Sequence, residues 1–283
     1  MKYRLLSFCM AVLLLISMIS VPRIEAANST ETFKDSADTK IVKLLEALGL
    51  MEIDSETGFF WDEMPVKRSE LAKIICKMFN ISETKDASPH FTDVSDYDRA
   101  YIETAIRNGY MSGYDNEKFG PDDYVTNIQL IKTFVTALGG DAAAQSQGGY
   151  PGGYITIGNM LGLLKGKAVA NENISRRIDV ANIIYTALHA DVLEIAGSVG
   201  NNINYKTVEG YTFLTEKRNI YRVKGIISQN EATSLNRDNG LGEGNVKIGT
   251  EIYCDDKHLT DDYLGCNVEC YVEIPKGDSV GKI

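Results

Sequence analysis

The 283-residue chain carries 29 Lys and Arg against 39 Asp and Glu, a formal charge of −10, with 44% hydrophobic residues and six prolines. That apolar content excludes wholesale disorder. The acidity argues against a nucleic-acid partner, whose phosphate backbone selects clustered Lys and Arg, and it keeps an exposed protein soluble without naming a ligand.

The N-terminus opens with Lys2 and Arg4, continues in an apolar run from Leu5 to Ile19, and ends in Val-Pro-Arg-Ile-Glu-Ala-Ala at 21–27. This pattern is that of a secretory signal peptide, with cleavage expected after Ala26 and residues 1–26 removed. The run is short for a spanning helix, and no second apolar stretch is long enough. The exported chain is therefore expected to have no transmembrane segment. Cys9 lies inside the run, far from the expected cut.

Three stretches with a common layout follow, at about 33–80, 91–139 and 150–189. The first begins Phe-Lys-Asp at 33–35, passes Ala-Leu-Gly at 47–49 and reaches Lys-Arg-Ser-Glu at 67–70. The second begins Phe-Thr-Asp at 91–93, passes Arg-Asn-Gly at 107–109 and reaches Thr-Asn-Ile-Gln at 126–129. The third has Leu-Gly-Leu-Leu-Lys-Gly at 161–166 and Arg-Arg-Ile-Asp at 176–179. Each reads as helix, glycine-ended loop, helix. Tyr101, Ile102, Ala105 and Ile106 keep one helical face, and Gly109 supplies the C-terminal stop. Leu130, Ile131, Phe134, Val135 and Leu138 mark a second face. Helix pairs this small cannot bury such faces alone, so the three units are expected to pack on one another. Cys76 falls at an apolar helical position and is expected as a buried thiol.

The tetrapeptide opening each second helix has a local physical meaning. Thr126 and Gln129 fit a capping box. Glu70 and Asp179 occupy the same third position, where a carboxylate suits the helix dipole. Arg68 and Arg177 sit one residue past the cap, beside N–H groups without an intrahelical partner. There a guanidinium is either an anion receptor or a solvated surface charge. On the receptor reading, Arg68 and Arg177 could both be removed without harm to the fold.

Phe-x-Asp, followed by Gly-Tyr-Met-Ser-Gly-Tyr-Asp-Asn-Glu-Lys-Phe-Gly-Pro-Asp at 109–122 and Val-Thr-Asn-Ile-Gln-Leu at 125–130, closely resembles the S-layer homology (SLH) module. The resemblance covers roughly 33–189. It implies a three-pronged helical assembly that holds secondary cell-wall polysaccharide, typically pyruvate-bearing, in grooves between units. It carries the family's arginine onto Arg68, Asn127 and Arg177, its aspartate onto Asp35 and Asp93, and its loop glycines onto Gly109 and Gly113, and onto Gly162 and Gly166. Asn127 is uncharged, so the second groove is expected to hold an anion weakly. The first unit has Leu-Met-Glu-Ile-Asp at 50–54 where the second glycine belongs. The third lacks Phe-x-Asp and resembles variant units of clostridial and related Gram-positive surface proteins.

From Asp191 onward, short alternating runs appear at 221–227, 246–248, 251–254 and 267–273, separated by Gly, Asn and Asp clusters. They predict antiparallel strands in a small all-β barrel or sandwich over 191–283, giving an α+β chain overall. Cys254 could pair with Cys266 or Cys270 across a hairpin. With His258 these cysteines make too scattered a set for zinc. The final Gly-Asp-Ser-Val-Gly-Lys-Ile closes no obvious strand, so a longer native protein is expected; an intact mass equal to the processed chain would refute that. His90, His189 and His258 lie in no nucleophile or metal motif. Acid pairs such as Asp255–Asp256 and Asp261–Asp262 read as solvated loops rather than a glycosidase pair. The sequence therefore points to a secreted cell-wall anchor of the S-layer surface, without cofactor or catalysis, or else to a self-assembling lattice protein.

Overall fold

The protein is described here by a computed structural model over residues 39–81, 91–165, 171–199, 202–236, 239–274 and 281–283. The expected signal peptide, Asp35, His90 and Gly166 lie outside these residues. Within them the chain is α+β, with eight α-helices and two antiparallel sheets. No helix among the described residues is long and apolar enough to cross a membrane.

Helices α1 (Thr39–Ala47), α2 (Arg68–Met78), α3 (Asp96–Arg107) and α4 (Asn127–Ala137) come first. The short α5 (Asp141–Ser146) leads to α6 (Gly152–Met160) and α7 (Arg177–Leu188). Helices α1, α3 and α6 end alike. Gly49, Gly109 and Gly162 take φ of 66°, 75° and 75°. The N–H that follows each glycine reaches back to the last helical turn: Leu50 to Leu45 O at 2.8 Å, Tyr110 to Ala105 O at 2.9 Å, and Leu163 to Gly158 O at 2.9 Å. Only a residue without Cβ enters this left-handed cap at little cost, so the sequence glycines set where the helices stop.

The helical pairs are joined where α2, α4 and α7 begin. Val66 N–H donates to Ser175 O at 3.1 Å, Ser175 N–H to Val125 O at 2.8 Å, and Val125 N–H to Val66 O at 3.0 Å. These three bonds close a ring through three distant segments. Outside the ring, Arg68 N donates to Asp123 O, Asn127 N to Asn173 O and Arg177 N to Met64 O, at 2.9, 2.9 and 2.8 Å. The helix-start N–H groups are thus occupied by carbonyls of neighbouring segments. This corrects the expectation that they stand open beside the arginines as anion receptors.

The C-terminal part is not all-β. A two-stranded ribbon of β1 (Asp191–Val199) and β2 (Asn202–Thr212) leads into helix α8 (Phe213–Arg218). Strands β3 (Ile220–Gln229), β4 (Asn245–Ile248), β5 (Glu251–Cys254) and β6 (Asn267–Glu273) form a sheet in the order β5-β4-β3-β6. Gly281–Ile283 pairs with Cys254 on one side and Glu273 on the other. Among the described residues the two edges meet there, and the named strands close no barrel. Cys254, Cys266 and Cys270 form no disulfide among the described residues, and Cys76 is a buried thiol whose Sγ donates to Tyr101 O at 3.4 Å.

Phe213, Leu214 and Ile220 belong to the same apolar cluster as the helices, and Phe213 meets Phe79 edge-on at 4.8 Å. Arg218 donates to Lys77 O at 3.0 Å. His189, at the end of α7, has Nδ1 2.7 Å from Tyr185 O and Nε2 2.8 Å from the Tyr271 hydroxyl. The neutral tautomer with a proton on Nδ1 fits both contacts. Burial pushes the His189 pKa down, against the bond to Tyr185; Arg222 lowers it further and Glu269 opposes that. An unfolded chain takes up this proton near the ordinary histidine value of about 6.5, before the folded one does. Stability is therefore expected to fall as pH drops through that region. Thermal melts from pH 7.5 to 5.5 should show the decline, and His189→Gln should flatten it.

Candidate functional site

The sequence-predicted residues divide between scaffold and groove. Asp93 accepts from Phe119 N at 3.0 Å and Gly120 N at 2.8 Å. Partial burial works against its charge, but these N–H groups outweigh it and hold the carboxyl below its ordinary value. It clamps the 113–120 loop through one N–H on each carboxylate oxygen. Gly113 is needed for close approach, since a Cβ there would lie 2.6 Å from the Phe91 ring and 2.9 Å from the carbonyls of Asp115 and Lys118. Thr126 and Gln129 form a reciprocal cap, with Gln129 N to Thr126 Oγ1 at 3.4 Å and Thr126 N to Gln129 Oε1 at 3.2 Å. Asp179 accepts from the Arg176 backbone N–H and guanidinium.

Arg68 is buried, at 7% exposure. Its Nε donates to Phe119 O at 3.1 Å and its Nη2 to Ser112 O at 2.7 Å. The guanidinium lies against the rings of Tyr114 and Phe119, 4.7 and 4.5 Å from their centroids. Burial lowers its pKa, opposed by Tyr114, Asp123 and Asp93. The ordinary value is high enough that it stays charged. Arg177 repeats this geometry on another loop. Nε donates to Phe60 O at 2.9 Å and Nη2 to Glu52 O at 2.8 Å, with the guanidinium 4.7 Å from the Phe60 ring centre. Asn127 reaches the third loop instead, with Nδ2 to Asn171 Oδ1 at 2.9 Å, and accepts from Ser175 Oγ at 2.8 Å.

Each side chain therefore serves the loop of the next segment. Arg68, which starts α2, completes the cleft beside the 110–114 loop. Arg177, which starts α7, completes the cleft beside the 50–52 loop. The uncharged Asn127 reaches Asn171 and Ser175 of the third segment and is not among the described lining residues of the second groove.

The second groove, of about 270 Å³, is lined by Arg68, Ser112, Gln129, Lys132 and Tyr150 among others. The first, of about 280 Å³, contains Arg177, Glu52, Glu70, Lys73 and Tyr97 in corresponding places. Lys132 lies 5.9 Å from the Tyr150 ring centre, and Lys73 5.8 Å from that of Tyr97. Neither lysine nor tyrosine was singled out in the sequence. The lysines had a legible signal, since each lies five residues after the helix-opening Arg68 or Asn127. The tyrosines follow loops of different length and had none.

The S-layer homology domain family model matches residues 90–130. This stretch contains the loop that receives Arg68 and the start of α4. The chain is 24% identical over 285 residues to the "Middle cell wall protein" of Brevibacillus brevis, covering 90% of this chain and 26% of that protein. It is 26% identical over 181 residues to the "Surface layer protein" of Brevibacillus choshinensis, covering 61% of this chain and 16% of that protein. The chain thus spans about a quarter or less of the length of these relatives. Its residues 90–130 match the S-layer homology domain model, and the chain is similar to proteins named for the cell wall and the surface layer.

Proposed function

We propose that the three helical segments (about 33–80, 91–139 and 150–189) are SLH repeats. On this reading they hold an exported protein non-covalently on the cell wall by binding an acidic, pyruvate-bearing secondary polysaccharide, and 191–283 is an accompanying β-rich region. The SLH match at 90–130 and the relatives' names support the surface role. The observation that carries the ligand class is the second groove. There Arg68 and Lys132 line one groove with no carboxylate among its described lining residues, beside the half-exposed Tyr150. A guanidinium fixed by backbone carbonyls and the Lys132 ammonium of α4 suit a carboxylate on a sugar.

Lys132→Ala tests this without touching the scaffold. Co-sedimentation of the full chain with purified walls is expected to weaken about tenfold, the effect of losing roughly 1.4 kcal/mol of charge-assisted contact. Stripping the non-peptidoglycan polymer is expected to abolish pelleting. Unchanged pelleting in both experiments would overturn the ligand assignment. A lattice role has one observation in its favour, the name of the Brevibacillus choshinensis relative. Sheets growing with protein concentration under electron microscopy would support it.

A further inference from the structure

The two arginine-bearing grooves share their framework and differ in charge. Each has a guanidinium donating to a loop carbonyl and a Phe carbonyl, a lysine on the second helix, and an exposed tyrosine from the following segment. Two corresponding positions separate them. Where the second groove has Ser112 and Gln129, the first has Glu52 and Glu70.

These acids neutralise the cations of the first groove. Arg177 Nη1 meets Glu70 Oε1 at 2.6 Å. Glu52 Oε1 faces Lys77 at 3.4 Å and Lys73 at 3.9 Å. All three nitrogens of the Arg177 guanidinium donate to protein acceptors. Asp98 adds a further acid to the lining. In the second groove, Asp123 and Asp93 act on Arg68 only from beyond ion-pair distance, and no carboxylate among the described lining residues lies within that distance of Arg68 or Lys132.

We infer that the first groove is a site for a neutral sugar and that Glu52 and Glu70 set this preference, leaving the second groove to select the acidic residue of the same polymer. This inference rests on the anchoring reading above. An anion entering the first groove would have to displace Glu70 from Arg177 and lie beside Glu52. A neutral sugar meets no such obstacle. Its hydroxyls can donate to the two carboxylates and accept from Lys73 and Ser69. Its apolar ring face can lie on Tyr97, which is 74% exposed. Leu50, Met51 and Ile74 provide an apolar floor, the mixture typical of small-ligand clefts.

The test uses the full chain and oligosaccharides cut from the non-peptidoglycan wall polymer, either with carboxylates intact or with them reduced to alcohols. The reduced form is expected to bind the wild type, to lose about tenfold in Tyr97→Ala, and to be indifferent to Lys132→Ala. Its binding should also be insensitive to salt, whereas the intact form loses affinity with ionic strength. In a Lys132→Ala background, Glu52→Ser with Glu70→Gln is expected to raise affinity for the intact form about tenfold over the reduced form. Glu52→Ser alone moves in the same direction and leaves Arg177 its Glu70 partner, so it serves if the double variant folds poorly. If the intact form binds through Lys132 while the reduced form binds nowhere, anchoring stands and this inference is overturned. Stronger binding of the intact than the reduced form to Lys132→Ala also overturns it. If neither form binds the wild type, the anchoring reading itself fails.

Discussion

Arg68→Ala is expected to cost about 3 kcal/mol of folding stability, more than any loss of ligand contact alone would suggest. Arg68 is one of the few charged side chains in the core. Its removal leaves the carbonyls of Phe119 and Ser112 without their donors and empties the slot between Tyr114 and Phe119. Unmet buried acceptors cost about 1–3 kcal/mol each where water cannot reach them, and the lost stacking adds to this. Lysine should rescue little, because a single ammonium cannot serve two diverging carbonyls from one plane. Urea unfolding of Arg68→Ala, Arg68→Lys and Lys132→Ala checks the point. The first two should shift the midpoint strongly, while the third should keep it near wild type. Arg177→Ala makes the same kind of hole at Phe60 and Glu52. The paired arginine variant, expected from sequence to leave the fold intact, is on this structure expected to lose stability, and Lys132 is the cleaner probe of binding.

Val125→Pro is expected to cost at least about 3 kcal/mol and to uncouple the three helical pairs. Val125 is buried, its N–H donates to Val66 O, and its carbonyl accepts from Ser175 N. Proline deletes the donor, opens the ring and restrains Tyr124 before it. Val125→Ala is the control, since it keeps the ring and loses only side-chain burial, about 2 kcal/mol. Trp61, the single tryptophan, precedes Asp62, whose carbonyl receives Ile178 N–H from α7 at 3.1 Å. In wild type and Val125→Ala, tryptophan emission and helical circular dichroism should unfold together. In Val125→Pro the emission should change at lower denaturant. Coincident transitions there would show that the ring is not what couples the segments.

The legible part of this protein is the part made by neighbours in sequence. Apolar spacing placed α3 and α4, because a helix repeats every 3.6 residues whatever it packs against. Gly49, Gly109 and Gly162 marked helix ends, because a left-handed cap is a local backbone demand. Thr126 and Gln129 announced their cap for the same reason. Short alternating runs at 221–227, 246–248, 251–254 and 267–273 foretold the strands β3 to β6. They could not foretell the β1–β2 ribbon and α8 that precede them, or the point where Gly281–Ile283 joins both sheet edges.

What sequence alone determined was the inventory, namely an acidic chain of helical pairs, their starts and stops, and the cations that open α2 and α7. What only the tertiary structure decided was where those cations point and what neutralises them. Arg68 finds its carbonyl 44 residues away, and Arg177 finds one 125 residues away. Separations of that size leave no periodic trace, because the contacts exist only once the Val66–Ser175–Val125 ring has brought the segments together. The same closure sets Glu70 against Arg177, while Lys132 has no ion pair among the described residues, so two arginines that look equivalent in the chain end in grooves of different charge.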